Sequence, residues 1–85
     1  MKINLEIPIY TKETGVKCEW ELGFEIVIKY EKGITKLVAN KEGLVSLAKI
    51  LLTLAQDEVS AGCHLHLDEY NSLDTGSSEL IIEKK

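Results

Sequence analysis

Residues 41–59 are the one stretch of this chain whose apolar residues return every three or four positions, and the segments on both sides alternate with a period of two. One helix set between strand-forming segments, within 85 residues, restricts the fold to a small α+β domain in which the helix covers a sheet. Leu44, Leu47, Ala48, Leu51, Leu54 and Ala55 form the expected core stripe. Lys41, Glu42, Ser46, Lys49, Thr53, Gln56 and Asp57 form the solvated one. Asn40 is placed to cap the helix, and Ala61-Gly62 to end it.

The alternating segments supply the strands. Ile3, Leu5, Ile7 and Ile9 share one side of residues 2–9, and Pro8 assigns that strand to an edge, where a missing N–H breaks no ladder bond. Thr11 to Gly15 read as a polar turn. Val16 to Glu31 alternate again, with Gly23 as a bulge or bend, and Lys32-Gly33 turns the chain into a return strand from Ile34 to Ala39. Beyond the helix, Cys63, Leu65 and Leu67 alternate with His64, His66 and Asp68. A polar loop over 70–78 then leads to a last strand from Glu79 to Glu83. If Leu65 and Leu67 share the core face with Ile82 and Leu80, His64 comes opposite Glu83 and Asp68 comes near Glu79. The expected architecture is a two-layer α+β sandwich, an antiparallel sheet of about five strands with one helix on one face, in the order β-β-β-α-β-β, as a single domain over residues 1–85.

Charge is distributed unevenly. Between Lys49 and Lys84 there is no lysine or arginine, but there are seven acids, Asp57, Glu58, Asp68, Glu69, Asp74, Glu79 and Glu83, whereas residues 1–49 carry eight lysines against seven acids. Such an asymmetry points to a basic partner, set against the plainer reading of a solvated face that keeps the protein soluble. All the basic side chains are lysine, so the bidentate fork that recognises phosphates and base edges is missing, and nucleic-acid binding is not expected. The start of the chain has no apolar signal region, and Ile50-Leu51-Leu52 falls far short of the roughly 20 apolar residues of a membrane span. A cytoplasmic location is therefore expected, with Cys18 and Cys63 as reduced thiols.

Three short patterns invite chemical readings. His64, His66 and Asp68 project from one face of a strand, but the outer two would lie about 13 Å apart along an extended chain, too far to share one metal ion without distortion. Leu73-Asp74-Thr75-Gly76-Ser77-Ser78 looks like the active-site turn of pepsin-like aspartic proteases. That chemistry needs two carboxylates in contact, and the chain holds one copy with seven residues after Ser78. It reads as a turn, with Gly76 at positive φ and Asp74 and the serines bonding local backbone. Cys63 and His64 are adjacent in a strand and point to opposite faces, so they do not make an activated thiol.

The run Asn40-Lys41-Glu42-Gly43-Leu44, then Leu47-Ala48, Leu51-Leu52 and Leu54-Ala55, Gly62-Cys63-His64-Leu65-His66-Leu67-Asp68, and Gly76-Ser77-Ser78-Glu79-Leu80-Ile81-Ile82 resembles the immunity protein 32 family. The resemblance covers the second half of the chain and implies a non-enzymatic bacterial protein of the polymorphic-toxin systems that binds a cognate toxin domain and blocks it. It carries no catalytic residue and no cofactor. The contact surface expected with such a toxin, itself basic, comprises His64, His66, Asp68, Glu69, Tyr70, Asp74, Glu79 and Glu83. Two readings from other classes remain beside it: a small metal-dependent hydrolase built on His64, His66 and Asp68, and a homodimer or larger homo-oligomer that pairs through exposed strand edges.

Overall fold

A computed structural model describes residues 1–85. The fold is α+β, with element order β1 (Ile26–Glu31), β2 (Ile34–Ala39), α1 (Lys41–Leu54), β3 (His64–Leu67) and β4 (Leu80–Glu83). The four strands form two separate two-stranded antiparallel sheets, β1–β2 and β3–β4, and not one sheet of five. Both hairpins keep the expected partners. Lys32 (φ 52°) and Gly33 (φ 77°) both take the left-handed conformation, which makes the two-residue turn that matches the twist of its flanking strands. In the second hairpin Leu65 lies opposite Ile82, Leu67 opposite Leu80, and His64 opposite Glu83.

Two expected strands are missing, and side chains from elsewhere in the chain hold a few of their backbone groups. Residues 2–9 pair with no strand. The Gln56 side chain instead donates to the Pro8 carbonyl (2.9 Å) and accepts from the Tyr10 N–H (3.1 Å). Residues 16–24 are interrupted because the Glu21 N–H goes to Ser46 Oγ (2.8 Å) and Gly23, at φ 82°, turns the chain. The turn stacks Trp20 on Phe24, with ring centroids 4.6 Å apart, a separation that residues four apart in a strand, about 13 Å, never reach. Asn40 does for Gly23 and Glu25 what Gln56 does for Pro8 and Tyr10: Nδ2 donates to the Gly23 carbonyl and Oδ1 accepts from the Glu25 N–H, each at 2.9 Å.

The same Asn40 oxygen accepts from the Gly43 N–H (2.8 Å), so the expected N-cap is present. The helix ends at Leu54, five residues short of Val59. Its last turn has no basic residue, and Asp57 and Glu58 follow where the negative end of the helix dipole disfavours acids. Gln56 Nε2 caps the Thr53 carbonyl (2.9 Å), and Lys84 Nζ reaches the Gln56 carbonyl (2.6 Å).

The buried helix face also differs from expectation, by one position. Gly43, Ser46, Ile50, Thr53 and Leu54 are buried, whereas Leu44, Leu51, Leu52 and Ala55 are exposed. Ser46 and Thr53 tolerate burial because their hydroxyls donate to the carbonyls four residues back, Glu42 and Lys49, each at 2.7 Å. Gly43 permits close approach, since a Cβ there would lie 2.5 Å from the Glu25 carbonyl oxygen and 2.9 Å from Ile26 Cγ1. Lys49, assigned to water by the pattern, reaches Glu19 (3.6 Å) and Glu21 (3.9 Å) and holds that segment over the helix. The core is small: Ile26, Ile28, Leu67 and Leu73 form its buried cluster, edged by Trp20, Phe24, Ala39, Leu47, Leu80 and Ile82.

Candidate partner-binding surface

Pairing of β3 with β4 decides what the second hairpin shows to water. Leu65, Leu67, Leu80 and Ile82 turn inward, so His64, His66, Ile81 and Glu83 share the outer face with the adjoining Glu79. His64 Nδ1 lies 3.9 Å from a Glu83 oxygen and His66 Nδ1 3.4 Å from a Glu79 oxygen, while the two imidazoles meet edge to face at 5.0 Å. These exposed pairs orient the rings and contribute little to stability. Ile81, directly opposite His66 and 51% exposed, sits among them. Sequence reasoning missed it as a surface residue although its parity with Glu79 and Glu83 was readable. Four of the eight candidate side chains, His64, His66, Glu79 and Glu83, are thus brought together around an exposed isoleucine.

The other four go elsewhere. Asp68 Oδ1 accepts from the Tyr70 N–H (2.9 Å), and the Asp68 carbonyl accepts from Leu73 N–H (2.9 Å), which folds the loop after β3. Glu69 Oε2 accepts from the Gly76 N–H (2.7 Å). Both carboxylates therefore serve the loop, which leaves Tyr70 90% exposed at its surface. Asn71 completes it: Nδ2 donates to the His66 carbonyl (3.0 Å) and Oδ1 accepts from the Asp68 N–H (3.1 Å), closing the outer edge of β3.

Asp74 belongs to a different surface. Its N–H donates to the Ile26 carbonyl and the Ser78 N–H to the Ile28 carbonyl, each at 2.8 Å, while Ser77 Oγ accepts from the Ile28 N–H (3.2 Å). The aspartate-threonine-glycine turn is therefore the cover of the free edge of β1. Gly76 takes φ 87°, as expected. The Ser77 N–H closes the turn on the Asp74 carbonyl (3.1 Å), but Ser77 Oγ and the Ser78 N–H bond to β1, 49 and 50 residues away along the chain. The Asp74 carboxylate is exposed and lines a depression with Glu25, Val27, Val38, Ala39 and Asn40.

No three histidine, cysteine or carboxylate side chains converge on a point where a metal ion could be held. Cys18 shares a depression with His66, but burial pushes its thiol above the ordinary range, opposite to what a nucleophile needs. Both cysteines are free. No helix is long and apolar enough to cross a membrane. What the second hairpin turns to solvent is one exposed isoleucine bordered by two imidazoles and two carboxylates.

A match to the family described as Immunity protein 32 spans residues 35–85, more than half of the chain, from the second residue of β2 to the last residue. The chain belongs to the immunity protein 32 family. The match includes α1 and the whole β3–β4 hairpin, and so all eight candidate residues, while residues 1–34, with the N-terminal segment and β1, lie outside it. No curated protein and no solved structure matches the chain.

Proposed function

We propose that this member of the immunity protein 32 family is a non-enzymatic cytoplasmic immunity protein that binds a cognate toxin domain and neutralises it by occupying a basic functional surface. The observation that carries this reading is the outer face of β3–β4, where Glu79 and Glu83 flank Ile81, His64 and His66 within the matched segment. Residues 50–83 contribute seven acids and no lysine or arginine, so the field over this half of the chain favours rapid capture of a cationic partner. Tyr70 adds an exposed aromatic to the loop that leaves β3, the kind of side chain that dominates binding energy when an interface closes over it. Asp74 is assigned to the rim, and Asp68 and Glu69 to shaping the loop that presents Tyr70.

The test is recovery of the toxin with tagged chain from the source bacterium, followed by measured affinity for the isolated toxin domain. Glu79→Lys with Glu83→Lys is expected to weaken binding by roughly a hundredfold, about 2.7 kcal/mol for two desolvated charge contacts, with unchanged melting. Recovery of a toxin whose affinity ignores these reversals would transfer the contact to another surface. Absence of any toxin, together with no protection of cells expressing one, would remove the immunity reading itself.

A further inference from the structure

The chain contains two halves of a strand pairing that do not meet within it. One is β2. Pairing Glu31 with Ile34 across a two-residue turn directs the peptide groups of Lys36 and Val38 towards β1 and those of Thr35 and Leu37 away from it. The outward groups of Ile26 and Ile28 on the other side of the hairpin are taken by Asp74, Ser77 and Ser78, but Thr35 and Leu37 have no such cover. Ile34, Leu37 and Val38 are exposed along this edge. The other half is the N-terminal arm. From Met1 to Ile9 the only backbone group with a hydrogen bond is the Pro8 carbonyl, and Ile3 and Ile9 are 60% and 79% exposed.

We infer that residues 2–9 of one copy add as an antiparallel strand to the β2 edge of a second copy, so that the protein is a homodimer with exchanged N-terminal arms. One strand parity satisfies three linked conditions, and within it the register that sets Glu6 opposite Lys36 also pairs opposite charges. Leu5 opposite Leu37 and Ile7 opposite Thr35 supply the hydrogen-bonded pairs that the free peptide groups require. Ile3, Leu5 and Ile7 then extend the face that carries Ile26, Ile28 and Leu37. Pro8 falls opposite Ile34, at a position whose N–H points away from β2, where proline costs no ladder bond. Glu6 falls opposite Lys36.

That last contact addresses a charge the chain leaves unanswered. Lys29 and Lys36 lie directly across β1–β2 from one another with no carboxylate within ion-pair distance, and while Lys29 Nζ donates to the Gly76 carbonyl (3.5 Å), Lys36 has no partner. Like charges so placed repel, and a lysine on an edge strand normally keeps other strands away. A strand carrying Glu6 at this position removes the repulsion, whereas one without an acid there does not. The second open edge, that of β4, is bordered by Glu79 and Glu83 and offers Glu6 no lysine to pair with.

The surface area agrees with a missing partner. A compact monomer of 9.5 kDa exposes about 5,000 Å², and this chain exposes 6300 Å². The excess exceeds the roughly 800 Å² that each side of a stable complex buries. The radius of gyration is 13.4 Å, against about 12 Å for a compact chain of this length.

Sedimentation equilibrium over a wide concentration range tests the inference, with melting temperature recorded for every variant to certify folding. The full chain should sediment as a dimer, and deletion of residues 1–9 should give a folded monomer. Leu37→Pro removes only an outward N–H and should also give a monomer. Glu6→Lys and Lys36→Glu should each raise the dimer dissociation constant roughly tenfold, since the contact occurs twice. The double variant should restore it. That restoration keeps the test decisive if Leu37→Pro fails to fold. A full chain that stays monomeric throughout, or a dimer that survives the deletion, overturns the inference.

Discussion

The β1–β2 and β3–β4 hairpins are both antiparallel and two-stranded, but the first is built into the fold along an edge and the second along a face. β1 is held by the 74–78 loop, by Asn40, and by the close approach of Gly43 to Glu25 and Ile26. Its Ile26 and Ile28 are the most deeply buried strand residues, while β2 is exposed along most of its length. β3–β4 contributes Leu67 to the core and turns His64, His66, Ile81 and Glu83 outward. β1 is thus the fixed centre of a small core, and the outer residues of β3–β4 face solvent.

The largest expected break in that comparison is Ile26→Ala. Ile26 is 0% exposed, and truncating a fully buried isoleucine should cost about 2–5 kcal/mol through lost transfer energy and the cavity left behind. Ile81→Ala, the matching change on the outer face of β4, should cost less than about 0.5 kcal/mol. Urea melts of the two variants check the contrast, and equal destabilisation would show that β4 is as deeply committed to the core as β1.

Gly43→Ala comes next. The added methyl would be 2.5 Å from the Glu25 carbonyl oxygen, a backbone atom that cannot rotate aside, so α1 must retreat from β1. The gain in helix propensity, about 1 kcal/mol, is outweighed by overpacking of about 1–3 kcal/mol and by loss of contact along the helix. Thermal melting should show a net decrease. An increase would mean that the helix can tilt freely at this end.

Asn40→Ala and Asn71→Ala form a smaller, paired comparison. Each asparagine satisfies a carbonyl and the N–H two residues further on, Gly23 and Glu25 for Asn40, His66 and Asp68 for Asn71. Asn40 also caps α1, so its loss should cost about 2 kcal/mol, against about 1 kcal/mol for Asn71. Amide hydrogen exchange should rise at Glu25 and Gly43 in the first variant and at Asp68 in the second.

These amides also explain how far the sequence was legible. The helix, its cap, both hairpins and the register of His64 with Glu83 follow from periodicity and turn chemistry, which are local. Alternation over 2–9 and 16–24 was equally regular, but a strand exists only where a partner strand lies beside it. Neither segment has such a partner within the chain, and Gln56 and Ser46, distant in sequence, hold only the Pro8 carbonyl and the Tyr10 and Glu21 N–H groups. The offset of the helix face has the same origin, because Ser46 and Thr53 count as polar until their hydroxyls are seen to bond backwards along the helix. At the surface, the four residues on β3–β4 came together because strand parity places them. Asp68 and Glu69 were drawn into the loop by backbone N–H groups that no charge pattern reveals.

Cys18 provides the smallest effect and the sharpest probe of how residues 16–20 sit against the second hairpin. It lines a depression with Trp20, His66, Leu67, Asn71 and Ser72, and burial there raises its thiol above the ordinary range. A raised thiol means that the folded chain holds its proton where the unfolded chain releases it. Stability from this group is therefore intact below the ordinary thiol range and is lost as pH rises through the raised folded value. Cys18→Ser should flatten that alkaline decline in stability. In the native protein at mildly alkaline pH, alkylation of Cys18 should be slower than alkylation in urea. Native alkylation as fast as in the unfolded chain would mean that residues 16–20 swing away from β3 in solution, and the depression beside His66 would then be open to a partner.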